Sequence, residues 1–224
     1  MRYYQGGYVS ILIGIVLTVL VTVGLGESYS FFMKVLRATP WIAALVAHGV
    51  ISLCLYFLSR GIRNSLMLSG TKLMAWLPSL IVLMGSIVLA LSTRNSSLPY
   101  AVSGFNEALY IIATLTLIPL FEEIVFRGGI SPIMDRFVGS KWAVWFSALI
   151  FSAAHSHPTW VRFVDLKVGF ILGPFLLSIC CDMILRRWGR LWPAVAFHSA
   201  CNATVYVFSA LNPPWLSHFG ALYM

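Results

Sequence analysis

The stretch IPLFEEIVFRGG, Ile118 to Gly129, decides how this chain is read. Two adjacent carboxylates, Glu122 and Glu123, and one guanidinium, Arg127, stand inside an otherwise apolar run that begins ALYIIATLTL at Ala108. The whole chain is built this way. Of its 224 residues 59% are hydrophobic and 10% charged, where a soluble globule carries about a quarter charged. The mean hydropathy is +0.87. These values exclude a soluble enzyme, a disordered chain and a secreted disulfide scaffold. A charge in lipid costs at least about 2.5 kcal/mol, so an ionisable residue at membrane depth is a functional candidate by default. Helical geometry separates the two acids. Glu123 and Arg127 are four apart, share a face and can neutralise each other. Glu122 is turned about 100° away, toward the bundle interior, where a poorly solvated carboxylate is suited to act as a general base. The plainer alternative is that both acids pair with Arg127 and pin two helices. Pro119 loosens the helix one turn earlier. Gly128 and Gly129 are expected to end it or to let a neighbour approach closely.

Working outward, a membrane span needs about 20 apolar residues, and seven stretches qualify. They run roughly 8–26, 40–59, 73–92, 107–127, 141–157, 166–186 and 191–211. The expected fold is all-α: a polytopic membrane protein, a bundle of about seven transmembrane helices. Residues 1–100 supply three N-terminal spans, 101–211 a catalytic core of four, and 212–224 a short interfacial tail. The first span is too long for a signal-peptide core and lacks a clear small-x-small site, so an uncleaved helix is expected. With seven spans, the N-terminus and the loops after spans two, four and six share one side. That side holds Arg2, Arg60, Arg63, Lys72, Arg127, Arg136, Lys141, Arg186, Arg187 and Arg190. The other side holds only Lys34, Arg37, Arg94, Arg162 and Lys167. The bias places the N-terminus in the cytoplasm. It also accounts for the net charge of +8 without a nucleic-acid partner. Cys54, Cys180, Cys181 and Cys201 match no disulfide or zinc spacing and read as small apolar packing residues.

Two further stretches carry polar groups. FSALIFSAAHSHP, Phe146 to Pro158, places Phe151 and His155 four apart on one face, with His157 near the helix end. LWPAVAFHSACNAT, Leu191 to Thr204, does the same for His198 and Asn202. Two donors on one face suit a developing oxyanion, although a helix–helix hydrogen bond is the ordinary use of such groups in membranes. Together Glu122, His155, His198 and Asn202 supply a base, its partner and two donors, the parts needed to hydrolyse an amide with water.

EEIVFRG (Glu122–Gly128), FSAAH (Phe151–His155) and HSACN (His198–Asn202) resemble, in order, the three motifs of the CAAX protease and bacteriocin-processing family, also called the Abi family. The resemblance covers roughly 107–210. It implies a glutamic intramembrane endopeptidase without metal or other cofactor, in which Glu122 and His155 activate water and His198 and Asn202 form the oxyanion hole. Glu123, Arg127 and Phe151 become structural support. It also implies a bacterial member, integral to the inner membrane, whose partners are the bilayer and a membrane-associated protein or peptide substrate. Competing expectations are a zinc protease using Glu122, His155 and His198, and a non-catalytic membrane partner, immunity or regulatory protein. Asp182 and Arg186 read as an interfacial ion pair, and His48 as a packing residue. Glu27 and Glu107 fall at predicted helix ends and His218 in the tail. One conflict remains within these boundaries. Glu122 falls toward the inner end of the fourth span and His155 toward the outer end of the fifth, yet the chemistry needs them together.

Overall fold

A computed structural model describes residues 7–36, 40–68, 70–93, 105–155 and 172–211. All secondary structure among them is helical. The chain runs α1 (Gly7–Leu36), α2 (Pro40–Leu58), the short α3 (Arg60–Ser65) and a 3₁₀ turn (Leu73–Trp76) that leads into α4 (Leu77–Thr93). Next comes a long interrupted helix: α5 (Phe105–Leu115), α6 (Leu117–Glu123), a π-helical stretch (Ile124–Ile130) and α7 (Ser131–Val138). It is followed by α8 (Ser140–His155), α9 (Leu172–Trp188) and α10 (Leu191–Leu211). Each of the seven expected apolar stretches is thus helical where described. By length and composition two segments suffice to cross a membrane, Tyr8–Val35 and Ala108–Val138. His157, the start of the sixth expected span and the tail with His218 lie outside the described residues.

Two boundaries differ from the sequence reading. The first helix does not end at Gly26 but continues to Leu36, so Glu27 is an exposed mid-helix residue. The fourth does not end at Arg127. Gly128 and Gly129 sit inside the π-helical stretch, and the backbone continues to Val138. The Ser131 N–H donates to the Phe126 carbonyl, five residues back instead of four, which widens the turn and is the geometry often found at functional sites. The glycines do provide close approach. A Cβ on Gly128 would lie 2.9 Å from Ile62, and one on Gly129 2.9 Å from Leu55, so α2 and α3 press directly on the widened turn.

The longer fourth helix removes the conflict over depth. Its turn into α8 is made at Gly139, whose φ of +79° favours a residue without Cβ. Glu122 stands seventeen residues before that turn and His155 sixteen after it. At 1.5 Å per residue both lie about 24 Å from the turn, at the same level of an antiparallel pair. A second turn at Gly189 (φ +65°) joins α9 to α10 in the same way. The basic connections meet at one end of the bundle. Arg190 donates to the Asn64 carbonyl, Trp192 Nε1 to the Leu66 carbonyl at 2.6 Å, and Arg186 to Asp135 at 2.9 Å.

Polarity is distributed opposite to that of a soluble protein. Leu12, Ile15 and Leu20 of α1 and Leu80, Ile81 and Met84 of α4 are exposed. Glu122, Glu123, Arg127, Ser178, Asp182 and His198 are buried. The α1–α8 contact rests on a missing side chain, since a Cβ on Gly14 would run into the Phe146 ring. Gly14→Ala should therefore lower the thermal midpoint in detergent by about 3–8 °C, the effect of overpacking by about 1–2 kcal/mol. Gly24→Ala, whose Cβ would meet nothing within 4 Å, should leave it unchanged or raise it. Equal midpoints for the two variants would show that the α1–α8 seam is not packed this way.

Candidate active site

Glu122 and Glu123 close α6, just where the helix widens. Above them the helix is already broken. Thr116 leaves helical geometry (φ −130°, ψ −75°), and Pro119 has no N–H to continue the ladder and crowds the carbonyl one turn back. The Thr114 carbonyl accepts a hydrogen bond from Asn202 Nδ2 at 2.9 Å. Hence α10 is tied to the broken helix, and one of the two amide hydrogens of Asn202 is committed.

Glu123 is fully buried and faces two partners. Its Oε2 lies 3.1 Å from Arg127 Nε, the pairing legible from the i,i+4 spacing. Its Oε1 accepts a hydrogen bond from His198 Nδ1 at 2.8 Å, a contact that sequence spacing does not suggest. Arg127 in turn donates to the Ser178 carbonyl of α9 at 2.8 Å and stacks 4.9 Å over the Phe151 ring. That ring packs edge-on to Phe126 at 4.7 Å and to His198 at 5.7 Å, and lies 4.3 Å from the His155 ring. Phe151 is therefore the apolar spacer that separates Arg127 from the imidazoles.

Glu122 is turned elsewhere, as its rotation implies. Its Oε2 lies 3.8 Å from His155 Nε2 and 3.5 Å from His198 Nε2. This oxygen is buried and accepts no hydrogen bond from the described residues. His155 is held through Nδ1, which donates to the Phe151 carbonyl at 2.8 Å. Its side chain remains one-third exposed, toward a cavity. The structure thus brings Glu122, His155 and His198 together around one oxygen and places Asn202 on the same cavity. Glu123, Arg127 and Phe151 lie directly behind them.

The cavity has a volume of about 740 Å³, the size of a small-molecule site. It opens among α1, α2, the α5–α6 break, α9 and α10, and most of its lining is apolar. His48, which its sequence context suggests to be a packing residue, belongs to this lining. Cys180 and Cys201 also line it, whereas Cys181 is fully buried against the Ala194 carbonyl and Cys54 is exposed. The expected ion pair of Asp182 with Arg186 is present, although Asp182 itself is buried. Asp182 also accepts from the Ser131 hydroxyl at 2.7 Å, and Arg186 also reaches Asp135. This network clamps α7 to α9 beside the Arg127–Ser178 contact.

The tight cluster of possible metal ligands among the described residues is Glu123, Cys181 and His198, within 4.8 Å of one another. It differs from the set Glu122, His155 and His198 expected for a zinc site. The Arg127 guanidinium 3.1 Å from Glu123 already supplies the positive charge that a cation would bring, and would repel one at close range.

Residues 104–204 match the family model described as type II CAAX prenyl endopeptidase Rce1-like. No curated protein and no solved structure matches the chain. The matched segment contains Glu122, Glu123, Arg127, Phe151, His155, His198 and Asn202. Over residues 104–204, somewhat under half of its length, the chain is similar to the Rce1-like, type II CAAX prenyl endopeptidase family, a membrane-embedded family of proteases.

Proposed function

We propose that this protein is an intramembrane glutamic endopeptidase that hydrolyses a peptide bond of a membrane-associated substrate with water held by Glu122 and His155. The observation that carries the proposal is the Glu122 Oε2 atom. It is buried without a hydrogen bond from the described residues, yet lies 3.8 and 3.5 Å from two imidazole nitrogens on the wall of a cavity. A carboxylate so placed is costly to fold and is explained by a ligand that donates to it. Water does so. With Nδ1–H of His155 committed to Phe151, Nε2 carries the lone pair. A water between Nε2 and Oε2 donates one hydrogen to each.

The reaction then proceeds without a protein nucleophile. Glu122 takes a proton from this water, and the oxygen attacks the amide carbonyl. The carbonyl oxygen becomes an oxyanion beside His198 Nε2 and the second amide hydrogen of Asn202. With Nδ1 of His198 donating to Glu123 at 2.8 Å, Nε2 donates to the oxyanion when the ring carries its second proton. The proton held by Glu122 passes to the amide nitrogen, the C–N bond breaks, and acid and amine products leave. Such a site, with donors aimed at the developing charge in a water-poor cavity, draws its rate from electrostatic preorganisation.

The same reading places the chain in the bacterial inner membrane with seven spans, the basic connections at the end shared by Gly139 and Gly189 facing the cytoplasm. The test is hydrolysis by the purified protein in nanodiscs of internally quenched peptides, prenylated at a CAAX-type terminus or unprenylated. Cleavage that persists in EDTA and 1,10-phenanthroline is expected. Loss of cleavage on chelation and its return with zinc would replace this chemistry by a metal mechanism. Absence of cleavage of either peptide class would favour the non-catalytic alternative.

A further inference from the structure

A peptide that enters an apolar cavity brings backbone N–H and C=O groups, and each needs a partner once water is left behind. The four residues assigned to chemistry serve only the scissile amide. The neighbouring peptide units must be met by other polar atoms of the wall, and few are free to do so. Thr114 and Thr204 return their hydroxyls to the Tyr110 and Ala200 carbonyls at 2.7 and 2.9 Å.

Two groups on the wall behave differently, and both come from helices outside the family-matched segment. His48 of α2 donates its Nδ1–H to the Ala44 carbonyl at 2.9 Å, leaving the Nε2 lone pair uncommitted in the neutral ring. It lines the large cavity, and it also lines a recess of about 10 Å³, together with Ala44, Ile118, Phe121 and Glu122. Its helix is fixed against α6 at this level. Ser52 donates to the Phe121 carbonyl at 3.0 Å, and a Cβ on Gly49 would lie 3.3 Å from the Phe121 ring. Thr22 of α1 is 2% exposed and lines the same cavity, and its hydroxyl has no hydrogen-bond partner among the described residues. Thr18, one turn earlier, instead bonds the Gly14 carbonyl at 2.8 Å, so an unpaired hydroxyl is not the habit of this helix.

We infer that His48 and Thr22 form a substrate-positioning subsite that hydrogen-bonds the peptide backbone beside the scissile bond, His48 Nε2 accepting a substrate N–H and the Thr22 hydroxyl pairing with a further backbone group. This inference rests on the proposed peptidase reading and extends the working site beyond residues 104–204. Neither residue takes part in bond making or breaking. Their contribution is to binding, and binding of the backbone is indifferent to substrate side chains.

The closing experiment uses the full-length protein in nanodiscs with the quenched peptides named above. His48→Ala should raise KM about 5–10-fold, the span of one net hydrogen bond, with kcat within about 2-fold. Thr22→Val, which keeps the β-branched shape, should raise KM about 2–5-fold. His48→Gln and Thr22→Ser restore a polar atom at the same reach and should recover most of the loss. The pH profile of kcat should not move. Retention of peptide by the inactive Glu122→Gln protein should weaken on adding His48→Ala, a readout that involves no chemistry. Thermal midpoints near wild type in both variants confirm that the bundle is intact. Glu122-dependent cleavage with unchanged KM in His48→Ala and Thr22→Val overturns the subsite alone. A fall in kcat with unchanged KM does so too, since His48 would then act in the chemistry. Absence of any Glu122-dependent cleavage overturns the peptidase reading and the subsite with it.

Discussion

Glu122→Gln should lower kcat by about 10³-fold or more, within the range of general-base catalysis combined with loss of a carboxylate from the reacting centre. The amide keeps the size of the side chain and its capacity to hold water between itself and His155. It cannot take the proton. KM should therefore move little, and the loss should appear in kcat and kcat/KM alike. The fold should not suffer. Glu122 Oε2 is buried and accepts no hydrogen bond from the described residues, so replacing a buried charge by a neutral amide relieves desolvation, and the thermal midpoint should hold or rise. The neighbouring acid gives the contrast. Glu123→Gln leaves Arg127 without its anion and His198 without the carboxylate that accepts its Nδ1–H, so that variant should lose both stability and rate. A Glu122→Gln protein that cleaves peptide within 10-fold of wild type would refute the assignment of the base, whatever the cavity contains.

How much of this was legible in the residues depends on distance along the chain. Helical periodicity is local, so pairs four apart could be read: Glu123 with Arg127, Phe151 with His155, and His198 with Asn202. The opposite orientation of Glu122 and Glu123 followed from the same geometry. The contact of Glu123 with His198 spans 75 residues, and no local period encodes it. The only hint was that one oxygen of a bidentate group remains after the other meets Arg127. The reach of the fourth helix was misjudged because Gly128 and Gly129 are ordinarily helix-ending residues. In a π-helical turn pressed by Ile62 and Leu55 the missing side chains are what packing requires. Once the helix continues to Val138, the equal spacing of Glu122 and His155 from Gly139 follows from arithmetic. His48 was passed over because it has no acidic neighbour in sequence, and its neighbours in space come from α6 and α8. The pairing of Asp182 with Arg186 is legible from their spacing, and the burial of Asp182 is not. The Ser131 hydroxyl that makes its burial tolerable is 51 residues away.

A common device holds the three imidazoles. His48, His155 and His198 each engage an acceptor through Nδ1: the Ala44 carbonyl, the Phe151 carbonyl and the Glu123 carboxylate. This fixes each ring and turns Nε2 toward the cavity side. The acceptors differ in charge. Behind His48 and His155 stands a carbonyl, and a ring that donates only from Nδ1 presents an Nε2 lone pair to a hydrogen of water or of a peptide. Behind His198 stands a carboxylate, whose charge balances the second ring proton that would be donated to an oxyanion. The division of labour among chemically identical side chains is thus set by what stands behind them.

The second large effect concerns what stands behind Glu123. Arg127→Met should destabilise the protein by about 3–5 kcal/mol, because the removed guanidinium leaves a buried carboxylate with no cationic side chain other than the His198 ring beside it among the described residues. The Ser178 carbonyl also loses its donor at 2.8 Å and Phe151 its cation at 4.9 Å. The measurement is thermal or denaturant unfolding in detergent, which should show the largest loss of any single variant considered. Adding Glu123→Gln to Arg127→Met separates structure from chemistry. With both charges gone, the interior holds a neutral amide and a thioether in place of an ion pair, and such replacements often recover stability. The double variant should therefore unfold well above Arg127→Met. Its activity should not return, since His198 now rests on an amide and has no anion to hold the proton that Nε2 must donate. Hydrolysis near the wild-type rate in the double variant would mean that Glu123 and Arg127 only join helices, and that the oxyanion is stabilised without a charged His198.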